Sequence, residues 1–409
     1  MAQSRREFLK SAVGASALVS LSGAAPSVLA RAARAAAGDD RRNTVLVVLQ
    51  LSGGNDGLNT VAPYADDAYA RSRTTLRLTR KDVHRIDDHV GFHPRMKGFA
   101  RLLSEGRLGV IQGVGYPKSH RGHEEAMRNW HTAMPDRPQC PTGWVGRAVD
   151  TASAEGDGGV PGVFVGPIRR PFALTARKAV VPAIRSAREL TLQPAPGREP
   201  AAPRRNPKAN PLADYVRRAG GGARTMSRRI QAVLDGAPAS ARYPDQVLAR
   251  HLRTVAELIR ADVGVRIVFA ELGGGGIGGF DNHAVQRDNH AAMLAQLSDS
   301  VTAFADDLAR HKCLDRVALL TFSEFGRTLT ENGRRGTGHG AAAPMFLVGG
   351  RVRAGLIGRH PSLTDLDQDA PKFHTDFRQV YATALTDWLG LDADTVLGAK
   401  FQRLDLFTS

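Results

Sequence analysis

Three short, almost unbroken apolar runs, each giving way to glycine and then to acidic or imidazole side chains, constrain this chain more than any other feature. Val45 to Leu51 reads V-L-V-V-L-Q-L and continues into Ser52-Gly53-Gly54-Asn55-Asp56-Gly57. Arg266 to Leu272 reads R-I-V-F-A-E-L and continues into a glycine stretch ending in Phe280-Asp281-Asn282-His283. Val317 to Phe322 continues into a polar loop, Phe322 to Gly340, that carries Glu324, Arg327, Thr328 and His339 before a further apolar run, Met345 to Val348. Runs of this length, rich in Val, Leu and Ile and without polar alternation, suit strands buried on both faces of a parallel sheet. In an open α/β sheet the loops beyond the carboxyl ends of the strands are where ligands bind. Glycines there let the backbone turn tightly and approach a ligand closely.

The segments between these runs read as helices. Gln246 to Arg260 places Leu248, Leu252, Val255, Leu258 and Ile259 on one side, and Leu294, Leu297, Val301, Phe304 and Leu308 repeat at three and four. The second helix makes a βαβ unit, so the strands at Arg266 and Val317 are expected to be parallel, with a right-handed connection. Asp281, His283, Glu324 and His339 then emerge at one sheet edge, and such side chains are natural ligands for a divalent cation of the zinc or manganese class. Asn55-Asp56-Gly57 is both an ordinary turn signal and the place for a catalytic carboxylate. Arg101 to Gly113 reads as a helix end, a glycine stop and a strand. Ser119 is expected to cap a helix over His120 to His131, either as a simple cap or as a nucleophile beside a bound anion. His120 and His123, at i and i+3, share a face that suits ligation. Gly143 to Arg147 begins another packed segment, Val163 to Gly166 a short strand, and Asp376 to Leu389 an amphipathic helix with Val380, Ala384, Leu385 and Trp388 on its apolar side.

The N-terminus reads as an address rather than as part of the fold. Ser4-Arg5-Arg6-Glu7-Phe8-Leu9-Lys10 has the form of a twin-arginine export signal, followed by a mild apolar stretch from Ala12 to Leu21 and small residues up to Ala37. Residues 1–37 are therefore expected to be removed on export, with the twin-arginine translocase as partner, leaving 38–409 as one α/β domain in the periplasm or another exported compartment. A Pro/Arg-rich insertion is expected at about 192–223. The formal charge of +16 falls to about +12 without the leader, which favours anionic substrates, small molecules or polysaccharides among them. Aromatics make up 6% of the residues and no basic stripe interleaves with them, which argues against nucleic acid. No stretch of the mature chain is apolar for the ~20 residues a membrane span needs. The two cysteines, Cys140 and Cys313, have no metal or redox spacing and are expected as buried free thiols.

Together these motifs, L-S-G-G-N-D-G-L-N at Leu51, S-H-R-G-H-E-E-A-M-R-N-W at Ser119, T-G-W-V-G-R at Thr142, G-G-F-D-N-H at Gly278, F-S-E-F-G-R-T at Phe322, G-T-G-H-G at Gly336 and D-F-R-Q-V-Y at Asp376, resemble the exported bacterial family catalogued as domain of unknown function fifteen-oh-one. More distantly they resemble the alkaline phosphatase and sulfatase superfamily. That resemblance implies a central, mostly parallel sheet between helices, with one or two divalent cations at the strand ends. It implies Asp56 and Glu324 as ligands of one cation and Asp281, His283 and His339 as ligands of the other. Ser119 becomes the nucleophile, and Arg327 or Arg121 would hold the ester's remaining anionic oxygens. The function implied is hydrolysis of phosphate or sulfate esters; the alternative is a non-catalytic envelope binding or assembly protein on the same fold. Two departures stand out: Glu324-Phe325 where the superfamily has Asp-His, and Gly338 where the family has an aspartate.

Overall fold

A computed structural model describes residues 43–154, 161–166, 170–190, 228–236, 242–273 and 279–408. The twin-arginine segment and the Pro/Arg-rich insertion lie outside the described residues, as do residues 274–278 of the glycine-rich stretch.

The elements that place the site are β1 (Val45–Leu51), α1 (Lys97–Ser104), β2 (Leu108–Gly115), α2 (His123–Thr132), α3 (Trp144–Ala154), β3 (Gly162–Val165), β4 (Ala183–Ile184), α4 (Val247–Arg260), β5 (Ile267–Leu272), α5 (Gln286–Arg310), β6 (Val317–Phe322), β7 (Arg327–Glu331), β8 (Thr337–His339), β9 (Ala343–Gly349), β10 (Gly355–Ile357), β11 (Thr375–Asp376) and α6 (Phe377–Thr383). Nine strands form one sheet in the order β10-β2-β9-β6-β1-β5-β3-β4, with β11 also paired to β2. β1 lies between β5 and β6 and is parallel to both. The strands at Arg266 and Val317 are thus parallel as expected, but β1 separates them. The exception to the parallel pattern is β9, which runs antiparallel between β2 and β6.

All seven residues of β1 are buried, because helices cover both faces of the sheet. Val45, Val47, Leu49 and Leu51 join a core cluster with side chains from α1, α4 and α5. Leu46 and Val48 join a second cluster, built with Trp130 of α2, Trp144 of α3 and Tyr381 of α6. Each fully buried Val or Leu contributes roughly 1.5–3 kcal/mol of transfer free energy, which is why apolar continuity decided the strand positions. The helix expected over Asp376 to Leu389 forms as a continuous run, Phe377 to Trp388. Asp376 caps α6 in a capping box with Gln379, and Ala384–Trp388 continues as a π-helical turn. Cys140 and Cys313 are free thiols, both half-buried rather than fully buried.

Candidate metal centre

Glycines close the floor of the site. Gly53 has φ +114° and Gly54 φ +77°, so the chain leaving β1 folds back beneath the neighbouring loops. A Cβ on Gly53 would lie 2.5 Å from the Asp281 nitrogen, and one on Gly54 would lie 2.1 Å from the Phe325 ring. This close approach lets Glu324, just past β6, accept a hydrogen bond from the Gly53 N–H at 2.8 Å.

Asp281, His283, Glu324 and His339 come together as the strand order requires, and His123 joins them. His123 Nδ1 lies 3.1 Å from Glu324 Oε1, and its Nε2 lies 3.3 Å from Asp281 Oδ2. His339 Nε2 lies 3.2 Å from Asp281 Oδ1 and 2.9 Å from His283 Nε2. His283 Nε2 is also 2.9 Å from Asp281 Oδ1. Ligand atoms of His123, Asp281 and His339 all lie within 4.8 Å of one another. Phe325 stacks on His339, ring centroids 4.3 Å apart, and packs obliquely on His123 at 5.0 Å. Phe325 therefore supplies an apolar wall beside both rings.

The outer nitrogens set the tautomers. His339 Nδ1 faces the Arg121 carbonyl oxygen, which can only accept, so Nδ1 carries the proton and Nε2 presents a lone pair. His123 Nδ1 faces a carboxylate in the same way. Lone pairs from two imidazoles and the Asp281 carboxylate then point at one another, which is unfavourable unless a proton or a cation lies among them. Imidazoles held from behind by a carboxylate or a backbone carbonyl are the usual supports of zinc-type ligands, so the donor set fits such a cation.

Charge is managed accordingly. Desolvation opposes ionisation of Asp281, but hydrogen bonding and charge from Arg327, with His339 and His283, hold its carboxyl at about 2. Hydrogen bonding to Glu324 raises the His123 pKa, while desolvation lowers that of His339. Arg327 is buried; its Nη2 reaches Asp281 Oδ1 at 2.7 Å, and its remaining bonds go to the carbonyls of Gly53, Gly54, Phe280 and Thr337. It anchors a ligand and the floor, rather than offering itself to an ester.

Three sequence expectations need correction. Asp56 lies in the interior, 2% exposed, where Arg73 grips both its oxygens and Gln286 donates to one of them. Desolvation is overcome there by Arg73, so Asp56 is an ionised, fully partnered counter-ion away from the cluster. Ser119 does not cap α2: the helix starts at His123 with Gly122 as its N-cap, and no hydrogen bond joins Ser119 to the cluster. The guanidinium of Arg121 is spent on Asp367 and the Gln368 carbonyl. The i, i+3 pair also divides, since His120 precedes the helix and pairs with Glu125 at 2.7 Å. Sequence spacing pointed to His123 but could not choose it over His120.

The fold and site define a three-layer α/β protein with a histidine–carboxylate cluster at the carboxyl edge of its sheet. The chain belongs to the protein family of unknown function DUF1501, which matches residues 43–405. No curated protein matches it. Among solved structures it is similar to the PsFucS1 sulfatase from Pseudoalteromonas sp., with 9% identity over 91% of this chain and 72% of that one and a TM-score of 0.42. It is similar to the lipoteichoic acid synthase LtaP from Listeria monocytogenes at 7% identity, 86% and 72% coverage and a TM-score of 0.38. A third is the C-terminal periplasmic domain of EcEptC from Escherichia coli in complex with Zn, at 11% identity, 75% and 72% coverage and a TM-score of 0.36.

Proposed function

We propose that this chain is a metal-dependent hydrolase of phosphate or sulfate esters, exported by the twin-arginine route. The observation that supports it is the convergence of imidazole lone pairs on the Asp281 carboxylate, with Nδ1 of His123 and His339 held from behind. His123, Asp281, His283 and His339 would hold a divalent cation of the zinc or manganese class, which, when bound, supplies Lewis-acid stabilisation to an ester's anionic oxygens. The chain's own groups prepare that role. Arg327 keeps Asp281 ionised, Glu324 and the Arg121 carbonyl fix the ring tautomers, and Phe325 excludes water from one imidazole face.

The non-catalytic binding reading is favoured by one observation: Ser119 makes no hydrogen bond to the cluster. Metal analysis of the folded protein, before and after incubation with zinc or manganese, comes first; no stoichiometric cation in either sample refutes the hydrolase. A screen of aryl phosphates and sulfates follows, with His339→Ala as control. Turnover abolished by that substitution supports hydrolysis, and a metal-loaded protein inert to every ester leaves the binding role. The leader fused to a folded reporter should be exported, and replacing Arg5 and Arg6 together by Lys should block it.

A further inference from the structure

We infer that Asp56, Arg73, Gln286 and Thr337 form a buried relay that positions His339 and so sets the cation affinity of the cluster; the inference rests on the metal reading above. None of the four touches the cluster's ligand atoms, and all are essentially closed to solvent: Asp56 2%, Arg73 0%, Gln286 1% and Thr337 0% exposed. The relay begins at the buried ion pair. Arg73 Nη2 binds Asp56 Oδ1 at 3.0 Å, and Nη1 binds Oδ2 as well as Asn59. The same guanidinium donates to the backbone carbonyls of Thr328 at 2.9 Å and Leu329 at 3.0 Å, fixing the start of β7. From the other side of Asp56, Gln286 at the head of α5 donates to the carboxylate through Nε2 and accepts from Thr337 Oγ1 at 2.7 Å through Oε1.

Thr337 is the delivery point. It opens the three-residue strand β8 that ends in His339, and side chains two apart on a strand share a face. Its N–H donates to the Asn282 carbonyl at 3.1 Å, between Asp281 and His283, and its own carbonyl accepts from Arg327 Nη1 at 3.2 Å. The strand that carries His339 is thereby referenced to the loop that carries Asp281 and His283. With Asp56 neutralised, the Gln286 amide has one orientation that satisfies both neighbours, so a single rotamer chain runs from the ion pair to β8. Asp56 is thus a positioning residue rather than a ligand.

The test uses the full chain as exported, titrated with cobalt(II), whose visible bands report ligand identity separately from affinity. Thr337→Val removes the hydroxyl at nearly constant volume and should weaken cobalt affinity about tenfold with the band positions unchanged. Thr337→Ser, which keeps the hydroxyl, should restore wild-type affinity. Gln286→Met should weaken binding similarly, and the double substitution should be no worse than either alone, as expected of one chain of contacts. Asp56→Asn should weaken binding without moving the bands. Affinities of Thr337→Val and Gln286→Met equal to wild type overturn the relay while leaving the metal reading intact. Displaced bands in Asp56→Asn overturn it by making Asp56 a ligand. Wild-type protein that takes up no cobalt overturns the metal reading and the relay with it. Should Asp56→Asn fail to fold, the Thr337 pair decides alone, because serine and valine bracket the hydroxyl.

Discussion

Three buried imidazoles outside the cluster predict how this protein responds to acid. His131, His290 and His93 are 6%, 1% and 5% exposed. Loss of hydration pushes their pKa values down, to about 3 for His131 and His290 and about 4 for His93. In the unfolded chain each titrates near ~6.5. Between those values the unfolded state binds a proton that the folded state refuses. The folded pKa is depressed, so stability is complete above ~6.5 and is lost as pH falls toward the folded values. At pH ~5 each imidazole costs about 2 kcal/mol, and the three together about 6 kcal/mol, on the scale of the ~5–15 kcal/mol that a domain has to lose. His123 acts in the opposite sense: its pKa is raised by Glu324, so its contribution is complete at low pH and fades as pH rises through the folded value.

The assay is urea unfolding at steps between pH ~7 and ~5, comparing wild type with His131→Gln. His131 hydrogen-bonds Gln50 Oε1 at 2.7 Å through Nε2, and glutamine can also donate there without titrating. The substitution has its own packing cost, but that cost is constant with pH and drops out when slopes are compared. Below pH ~6 the wild-type slope should exceed the variant's by about 1.4 kcal/mol per pH unit, the value of one proton. Parallel curves would refute the argument, since they would mean that the folded state protonates His131 as readily as the unfolded chain does.

Arg327→Met should cost about 3–5 kcal/mol in the same unfolding assay, because it strips a buried counter-ion from Asp281 and removes the donor to the carbonyls of Gly53, Gly54 and Thr337, Phe280 keeping its bond from the Asn282 N–H. Gly54→Ala should cost about 2–4 kcal/mol, combining strain at φ +77° with collision against Phe325, whereas Gly106→Ala, at φ +74° with nothing within 4 Å, should cost only ~1–2 kcal/mol. Equal costs would show that Phe325 yields freely. Both cysteines are free, so reductant should leave the melting temperature unchanged, and a drop of several degrees would reveal a disulfide.

The sequence disclosed most where one local property sufficed. Apolar continuity located β1, β5 and β6, and the glycine-rich exits at their ends located Asp281, His283, Glu324 and His339 on one edge. What it could not disclose depends on distant partners. The direction of β9 follows from its place between β2 and β6, and an apolar run has no polarity of its own. α2 takes Gly122 rather than Ser119 as its N-cap, and ahead of it the His120 N–H donates to the Tyr116 hydroxyl at 3.2 Å, a partner that local pattern does not reveal. Arg73 drew no attention in the sequence, since an arginine in a polar surface-like stretch carries no sign that it will be fully buried.

Asp56 and Asp281 both follow strand ends, and what separates them is how completely each is neutralised. Arg73 spends two nitrogens on Asp56 and Gln286 adds a third donor, leaving little negative charge to share. Arg327 spends one nitrogen on Asp281 and the rest on carbonyls, so Oδ2 of Asp281 still faces His123 Nε2 without a guanidinium of its own. Asp281 is also 40% exposed, within reach of an entering ion, where Asp56 is 2% exposed. The two asparagine substitutions should therefore separate stability from cation uptake. Asp56→Asn strands a buried guanidinium and should cost about 3–5 kcal/mol on urea unfolding while still taking up cation, more weakly. Asp281→Asn sits at a half-open edge, should cost less than ~2 kcal/mol, and should abolish uptake, because it removes the carboxylate that the three imidazole Nε2 atoms converge upon. Uptake lost in Asp56→Asn and retained in Asp281→Asn would reverse the assignment and return Asp56 to the ligand role that its place in the motif suggested.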